Sequence, residues 1–465
     1  MTSSGLTQLI QNLTSQFRAL RQHKAFLPVT ASGTACVAGG MLTYLAMKRY
    51  YRRKKWKPAT ADFDILPLLP EETNSLATNK RIAVISFFDC CESELAAAEA
   101  WITARVEQIA AANRWLAGRL VHAPGTGAKS IAVPRSLSKQ DLTRLLLKHP
   151  ENFCPSRSMN LEQLSAQSTK IDLPYGPIAY DNEDVLASRF VFARTSGGFC
   201  IFFAMSHIVG DGATFYHIFN QLSASAEVQS LEPRRNMDFG EKLKVKVGMD
   251  IQKVAMSLSL MVSFLKGIFF GGTVRGVTGF VDVEGIARAK AEAKQRGNVP
   301  FVSTNDILTS AFSNAFGADV CFMAINWRGR IDGLTHNLAG NYESVLLFDG
   351  ANAGTPDRIR QTLRHPHFHC RDEPMPPLSR ALSARYGAIT TWVSFSKPIN
   401  IPGCAEQVHR PIYNVKTMRA TVPFDCAIVF RAGAGRVGVF WMTKRAGSAR
   451  DIFGDMPITD FVVEF

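Results

Sequence analysis

Residues 200–222 read CIFFAMSHIVGDGATFYHIFNQL. An apolar run, Cys200 to Met205, has the pattern of a buried strand, and helical spacing begins at Phe215, Ile218, Phe219 and Leu222. Between the two lie Ser206, His207, Asp211 and Gly212. An imidazole titrates near pH ~6.5, so a histidine held at a sheet edge can take a proton at neutral pH as a general base. Asp211 could contact the ring. On so tight a turn it can instead point back into the fold and pair with an arginine, and Gly212 lets the backbone bend. The competing reading is a structural histidine at a strand terminus.

Other chemistry-bearing stretches are weaker. PGTGAKS, from Pro124 to Ser130, approaches a phosphate-binding loop, but Ala128 stands where Gly must precede Lys and Ala123 where the first Gly belongs. His365, His367 and His369 alternate and in a strand would share a face suited to zinc; Pro366 and basic neighbours make the stretch a polar loop, and no metal site is expected. The cysteines are scattered, with only Cys90 and Cys91 adjacent, so reduced thiols are expected rather than a disulfide framework.

The elements that must hold His207 are legible around it. RIAVISFF (81–88) reads as a strand, and 92–116 as a long helix with Leu95, Ile102, Val106 and Ile109 on one face. SRFVFARTSGGFCIFFAMS reads as a hairpin turning at Ser196, Gly197 and Gly198. From 236 to 298 the character changes to a basic, then apolar and Met-rich, then glycine-broken crossover, in which Val254 to Leu265 is too short to span a bilayer. That piece is either a core helix or one lying at a membrane interface. A second α/β half follows, with STNDILTSAFSNAFG as a capped helix, VCFMAINW as a strand and a hairpin turning on Gly433 and Gly435.

SHIVGDG resembles the His-His-x-x-x-Asp-Gly motif of the CoA-dependent acyltransferase superfamily, which includes plant-type BAHD acyltransferases, condensation domains of peptide synthetases and bacterial wax-ester synthases. WLAGRL (115–120), STNDILTSAF (303–312), INWRGRIDGLTHNLAGNY (325–342) and ITTWVSF (389–395) resemble further motifs of the superfamily, in the same order. The likeness covers roughly residues 78 to 445. The first His of the pair is Ser206 here, and CAEQVHRPIY (404–413) replaces the Asp-Phe-Gly-Trp-Gly segment. The resemblance implies an α/β fold of two chloramphenicol-acetyltransferase-like halves with the active-site tunnel between them. It implies acyl transfer from acyl-CoA, as co-substrate with no bound cofactor, to an acceptor hydroxyl. His207 would be the base, Asp211 and Gly212 would shape its turn, and Thr390, Thr391 or Trp392 would donate to the oxyanion.

The formal charge of +14 is concentrated at one end. Residues 1–61 hold ten Lys/Arg and no acid, which leaves +4 for the other 404 residues, so nucleic acid is not an expected partner. The uncharged run 25–47 has 23 residues, enough to span a bilayer. Seven Lys/Arg follow it against three before, which predicts a single-pass anchor with everything after Met47 facing the cytosol, in the endoplasmic reticulum or another organelle membrane, plastid included. A cleaved transit segment is the alternative. The expected organisation is a polar or amphipathic segment (1–24), the transmembrane anchor (25–47), a basic linker (48–77), a first acyltransferase half (78–235), the crossover (236–298) and a second half (299–465). The expected protein is a monomeric O-acyltransferase for a hydrophobic alcohol of fatty-alcohol, sterol or carotenoid type. A condensation-type enzyme with a carrier-bound donor, or a non-catalytic scaffold, are the other readings.

Overall fold

The apolar runs and the turn residues between them set a chain that alternates strands and helices. In the computed structural model, β1 (Phe63–Pro67) and the short helix α1 (Pro70–Asn74) lead into β2 (Arg81–Cys90) and α2 (Leu95–Ala112). β3 (Arg119–His122), β4 (Lys129–Pro134) and β5 (Leu146–Lys148) follow, then the hairpin β6 (Ser188–Thr195) and β7 (Gly198–Ser206), and α3 (Gly212–Asn220). After α4 (Leu258–Phe270) come β8 (Arg275–Val281), α5 (Thr304–Phe316), β9 (Val320–Asn326), β10 (Glu343–Asp349) and β11 (Tyr386–Thr391). β12 (Cys404–Pro411), the hairpin β13 (Asp425–Gly433) and β14 (Arg436–Thr443), and β15 (Ile458–Val463) complete the series.

The structure describes residues 56, 58–59, 61–74, 81–171, 180–248, 254, 257–270, 272–368, 375–422, 424–433 and 435–465. The anchor expected at 25–47 lies outside them, as does His369. Among the described residues no helix is long and apolar enough to cross a membrane. Pro58–Tyr180 with Asp184–Phe465 form one unit, and everything below concerns that unit.

Two large sheets organise it. One has the order β12-β2-β7-β6-β5 and the other β10-β9-β11-β13-β14-β8-β15; a small third sheet is β1-β4-β3. β7 lies between β2 and β6, and all nine of its residues are buried, which is why its sequence is apolar without alternation. Phe203 stacks on Phe190 at 4.2 Å and on Phe215 of α3 at 4.6 Å, clamping that helix to the sheet just after His207. The β13–β14 hairpin serves two cores: Ile428, Phe430, Phe440 and Met442 join the cluster around β7, and Ala427, Val429, Val439 and Trp441 join the second. Chain position does not dictate sheet membership, because β12 pairs antiparallel with β2 in the first sheet.

Sequence boundaries shift in three places. The long first helix ends at Ala112, where Asn113 leaves helical geometry and its amide bonds Ile109 and Gln229 carbonyls. The apolar helix starts at Leu258 and continues past Lys266 to Phe270, since an isolated Gly267 is tolerated within a helix. Residues 63–74, within the stretch expected as linker, form β1 and α1, with Leu69 and Glu72 buried.

Candidate active site

His207 follows the last residue of β7, and Asp211 is the N-cap of α3, accepting from the Thr214 amide at 2.9 Å. The other Asp211 oxygen takes Arg328 Nη1 at 2.7 Å and the Tyr342 amide at 2.9 Å. Both members of this ion pair are buried. Arg328 continues to Thr214 Oγ1 and the Gly340 carbonyl, each at 2.9 Å, and lies over the Tyr342 ring. Asp211 therefore points away from the imidazole and ties α3 to the loop after β9, and Arg328 is the arginine the sequence left unnamed. A Cβ on Gly212 would come within 3.2 Å of the Trp392 indole nitrogen, so the glycine permits a close approach of strand β11's exit to α3.

The imidazole is oriented from its Nδ1 side. Nδ1 meets Asn341 Oδ1 at 2.9 Å. The Asn341 amide nitrogen faces acceptors, the His207 carbonyl at 2.7 Å and Glu72 Oε1 at 3.3 Å, so the oxygen must be the atom turned toward the ring. An amide oxygen only accepts, which assigns the proton to Nδ1 and leaves the lone pair on Nε2. Glu72 fixes Asn341 further by accepting its backbone N–H at 2.9 Å. Glu72 is in turn held by Arg235 Nε, 3.0 Å from both carboxylate oxygens, and by the Leu69 amide at 2.8 Å. The chain Arg235, Glu72, Asn341, His207 thus prepares the tautomer a general base needs.

On the free side, Nε2 lies 3.4 Å from Glu343 Oε1. Glu343 opens β10, opposite Asn326 of β9. Burial pushes its carboxyl above the usual range, and the neighbouring His207 works against that rise. Its side chain is nevertheless 32 % accessible. Tyr413, also part-exposed and with its hydroxyl pushed well up by burial, is within electrostatic reach of Glu343 and stacks on Trp392 at 6.3 Å.

From Glu343 outward, register places Val345 beside Ala324, Leu347 beside Phe322, and Phe322 beside Ala388. These residues share one face of the sheet, and Leu260 of α4, Phe424 and Met375 pack against the same cluster. Val345, Ala324, Ala388 and Leu260 are only half-buried, so the strip is apolar and partly open.

Of the expected oxyanion donors, Thr390 pairs with Ile428, which pairs with Phe440, so all three share the face turned to the first core. Thr391 pairs with Val429 and sits on the opposite face, toward the second core. Trp392 is buried beside Gly212, its ring 6.0 Å from that of Tyr216. The site elements sequence reasoning missed are Glu72, Arg235, Asn341 and Glu343. The one available signal was the Gly340-Asn341 pair followed by an acid at the start of β10.

Among the described residues no group of His, Cys, Asp and Glu could hold a metal ion. A cavity of about 410 Å³ adjoins the outer side of α3, lined among others by His217, Arg328, His336 and Lys397. The larger depression, about 620 Å³ around Cys90, Cys91 and Cys404, lies at the opposite end of β2 from Ser206. There the thiols of Cys90 and Cys404 face each other across the strand pair at 2.9 Å.

No family model and no curated protein matches the sequence. Solved structures do. The TRI101 protein of F. graminearum, crystallised with coenzyme A and T-2 mycotoxin, superposes with a TM-score of 0.52 at 13% identity, covering 84% of this chain and 96% of its own. TRI101 of F. sporotrichioides with coenzyme A and T-2 gives 0.53 at 12%, covering 82% and 95%. The first condensation domain of the CDA synthetase gives 0.51 at 12%, covering 86% and 99%. The chain thus has the mixed α/β fold shared by CoA-dependent acyltransferases and condensation domains.

Proposed function

We propose that the protein is a membrane-anchored acyltransferase that moves an acyl group from acyl-CoA to the hydroxyl of a lipophilic alcohol. The observation that carries this reading is His207, whose Nδ1 is fixed by Asn341 so that the lone pair is left on a part-accessible Nε2 beside Glu343. In this reading Nε2 faces a tunnel between two similarly built halves. Nε2 takes the proton of the acceptor hydroxyl as its oxygen attacks the thioester carbonyl, and returns it to the departing CoA thiolate. No acyl-enzyme is needed. Base assistance of this kind is worth roughly 10²–10⁴-fold. Thr390 Oγ1 or the Trp392 indole N–H supplies the oxyanion donor, a role of about 3 kcal/mol. Coenzyme A bound to TRI101 supports the donor, and the basic cavity beside α3 suits its phosphates.

The lipophilic acceptor is supported by the apolar strip from Val345 to Leu260 and by the exposed Leu265 and Phe270 on α4. Cytosol-facing attachment through 25–47 rests on the charge pattern alone. Likeness to a condensation domain favours one second reading, a carrier-protein thioester as donor.

The test is acyl transfer by purified protein, with the acyl group offered on CoA or on a carrier protein. Wild type is expected to form ester from the CoA donor. His207→Ala should form none while melting within a degree or two of wild type, and full turnover by that variant would sink the mechanism. Leu260→Ser with Phe264→Ser should raise KM for a long-chain alcohol far more than for a short one; equal effects would make α4 plain core.

A further inference from the structure

The acyl-transfer reading explains Nε2 of His207 but gives no task to the carboxyl beside it. Among the described residues nothing donates a hydrogen bond to Glu343, although Oε1 sits 3.4 Å from the reacting nitrogen. The side chain is part-accessible, so this carboxyl takes its donors from whatever enters the site, water or a bound molecule. We propose that the acceptor supplies the donor: the alcohol acylated at His207 carries a second O–H or N–H on the adjacent carbon, and Glu343 receives it. This rests on the reading of His207 as base.

Geometry selects the vicinal pair. A single hydroxyl can donate only once. Once its proton points at Nε2, its lone pairs turn toward Oε1, which is repulsive. A lone ammonium could donate to both atoms, but bonds of about 2.8 Å to points 3.4 Å apart subtend only about 75°, well short of the tetrahedral angle. Donors on neighbouring carbons in a gauche arrangement lie about 2.9 Å apart. Facing two acceptors 3.4 Å apart, they form two nearly parallel hydrogen bonds. The second donor keeps its proton throughout. The reacting hydroxyl's proton passes to Nε2 and then to the CoA sulfur, the C–S bond breaks as the C–O bond forms, and ester plus CoA thiol balance the step. Vicinal diols and vicinal amino alcohols share this chemistry, and the apolar strip leading away from Glu343 accommodates an aliphatic remainder.

Full-length protein is given acetyl-, octanoyl- or palmitoyl-CoA with one of three acceptors of equal chain length: terminal dodecanol, the vicinal dodecanediol, or the matching vicinal amino alcohol. Product is measured by mass spectrometry. A kcat/KM at least about tenfold higher for one vicinal acceptor than for dodecanol is expected, the scale of one hydrogen bond to a charged group. The product formed fastest tells diol from amino alcohol. In Glu343→Met, or Glu343→Ala should the Met variant not fold, the ratio should fall to about one. Equal rates with wild type, or a ratio that survives loss of the carboxyl, overturns the proposal. Absence of any product from any acceptor counts instead against acyl transfer itself, and tryptophan-fluorescence titration with the diol and dodecanol then decides the binding preference separately: equal affinity overturns it.

Discussion

At the scale of single residues, Asp211, Glu72 and Asn341 divide the labour of holding His207 and its turn, and none of these three acts on substrate in the proposed mechanism. Asp211 is committed to Arg328 and to the backbone amides of Thr214 and Tyr342, so its loss is a structural event. Asp211→Ala should lower unfolding free energy by about 3–5 kcal/mol, because it leaves a buried guanidinium uncompensated, and activity should fall in step with the folded fraction. Denaturant titration alongside kcat checks this; a variant as stable as wild type but inactive would place Asp211 in the chemistry instead. His207, Asp211 and Gly212 were legible in the sequence because they share one turn between a strand pattern and a helix pattern. Their partners were not. Asn341 is 134 positions from His207 and Glu72 is 269 from Asn341, and no local periodicity encodes such pairings. Thr390 and Thr391, equal candidates in the sequence, are separated by the alternation of the strand that carries them.

At the scale of elements, the segment that departs from the BAHD pattern turns out to be a strand with its own buried anchor. On β12, His409 places Nδ1 2.8 Å from Ser86 Oγ of β2 and Nε2 3.0 Å from the Tyr216 hydroxyl of α3. The ring is fully buried, and Arg431 of β13, paired with Glu406, stands nearby. Burial first, and the Arg431 charge second, hold the His409 pKa well below its usual value. A histidine neutral in the fold and protonated in the unfolded chain contributes stability that is complete above its unfolded pKa and declines as pH falls toward the folded one. Stability should therefore decrease below about pH 6.5, with a slope of up to about 1.4 kcal/mol per pH unit from this residue. Urea midpoints at pH 7 and pH 5 test it. His409→Gln should be less stable at pH 7 but lose less between the two pH values; an unchanged loss would assign the acid sensitivity elsewhere. This strand's destination is not legible in the residues, because CAEQVHRPIY lacks clean alternation and its bulge between Glu406 and Val408 shifts the register.

For the whole molecule, the question is what the basic N-terminus adds to a body whose remaining charge is only +4. The body's outermost contributions to the site come from α1, where Glu72 orients Asn341, so the boundary between attachment and catalysis must fall before residue 63, the start of β1. That placement sharpens the anchor hypothesis into a cut. On that hypothesis, a specific protease site inserted after Lys57 of the full-length protein should release the body from membranes into the soluble fraction on cleavage. The released body should retain the rate of the uncut protein on a detergent-dispersed alcohol, because β1, α1 and every residue assigned a role at His207 remain in it. Cleavage at a site inserted near Asn79 should abolish transfer if α1 then dissociates, since the Nδ1 partner loses the carboxylate that holds it. Full-length protein recovered in the soluble fraction with residues 1–57 intact would defeat the anchor reading. A body that stays on the membrane after the cut at Lys57 would move the attachment to α4, whose Leu265 and Phe270 are exposed.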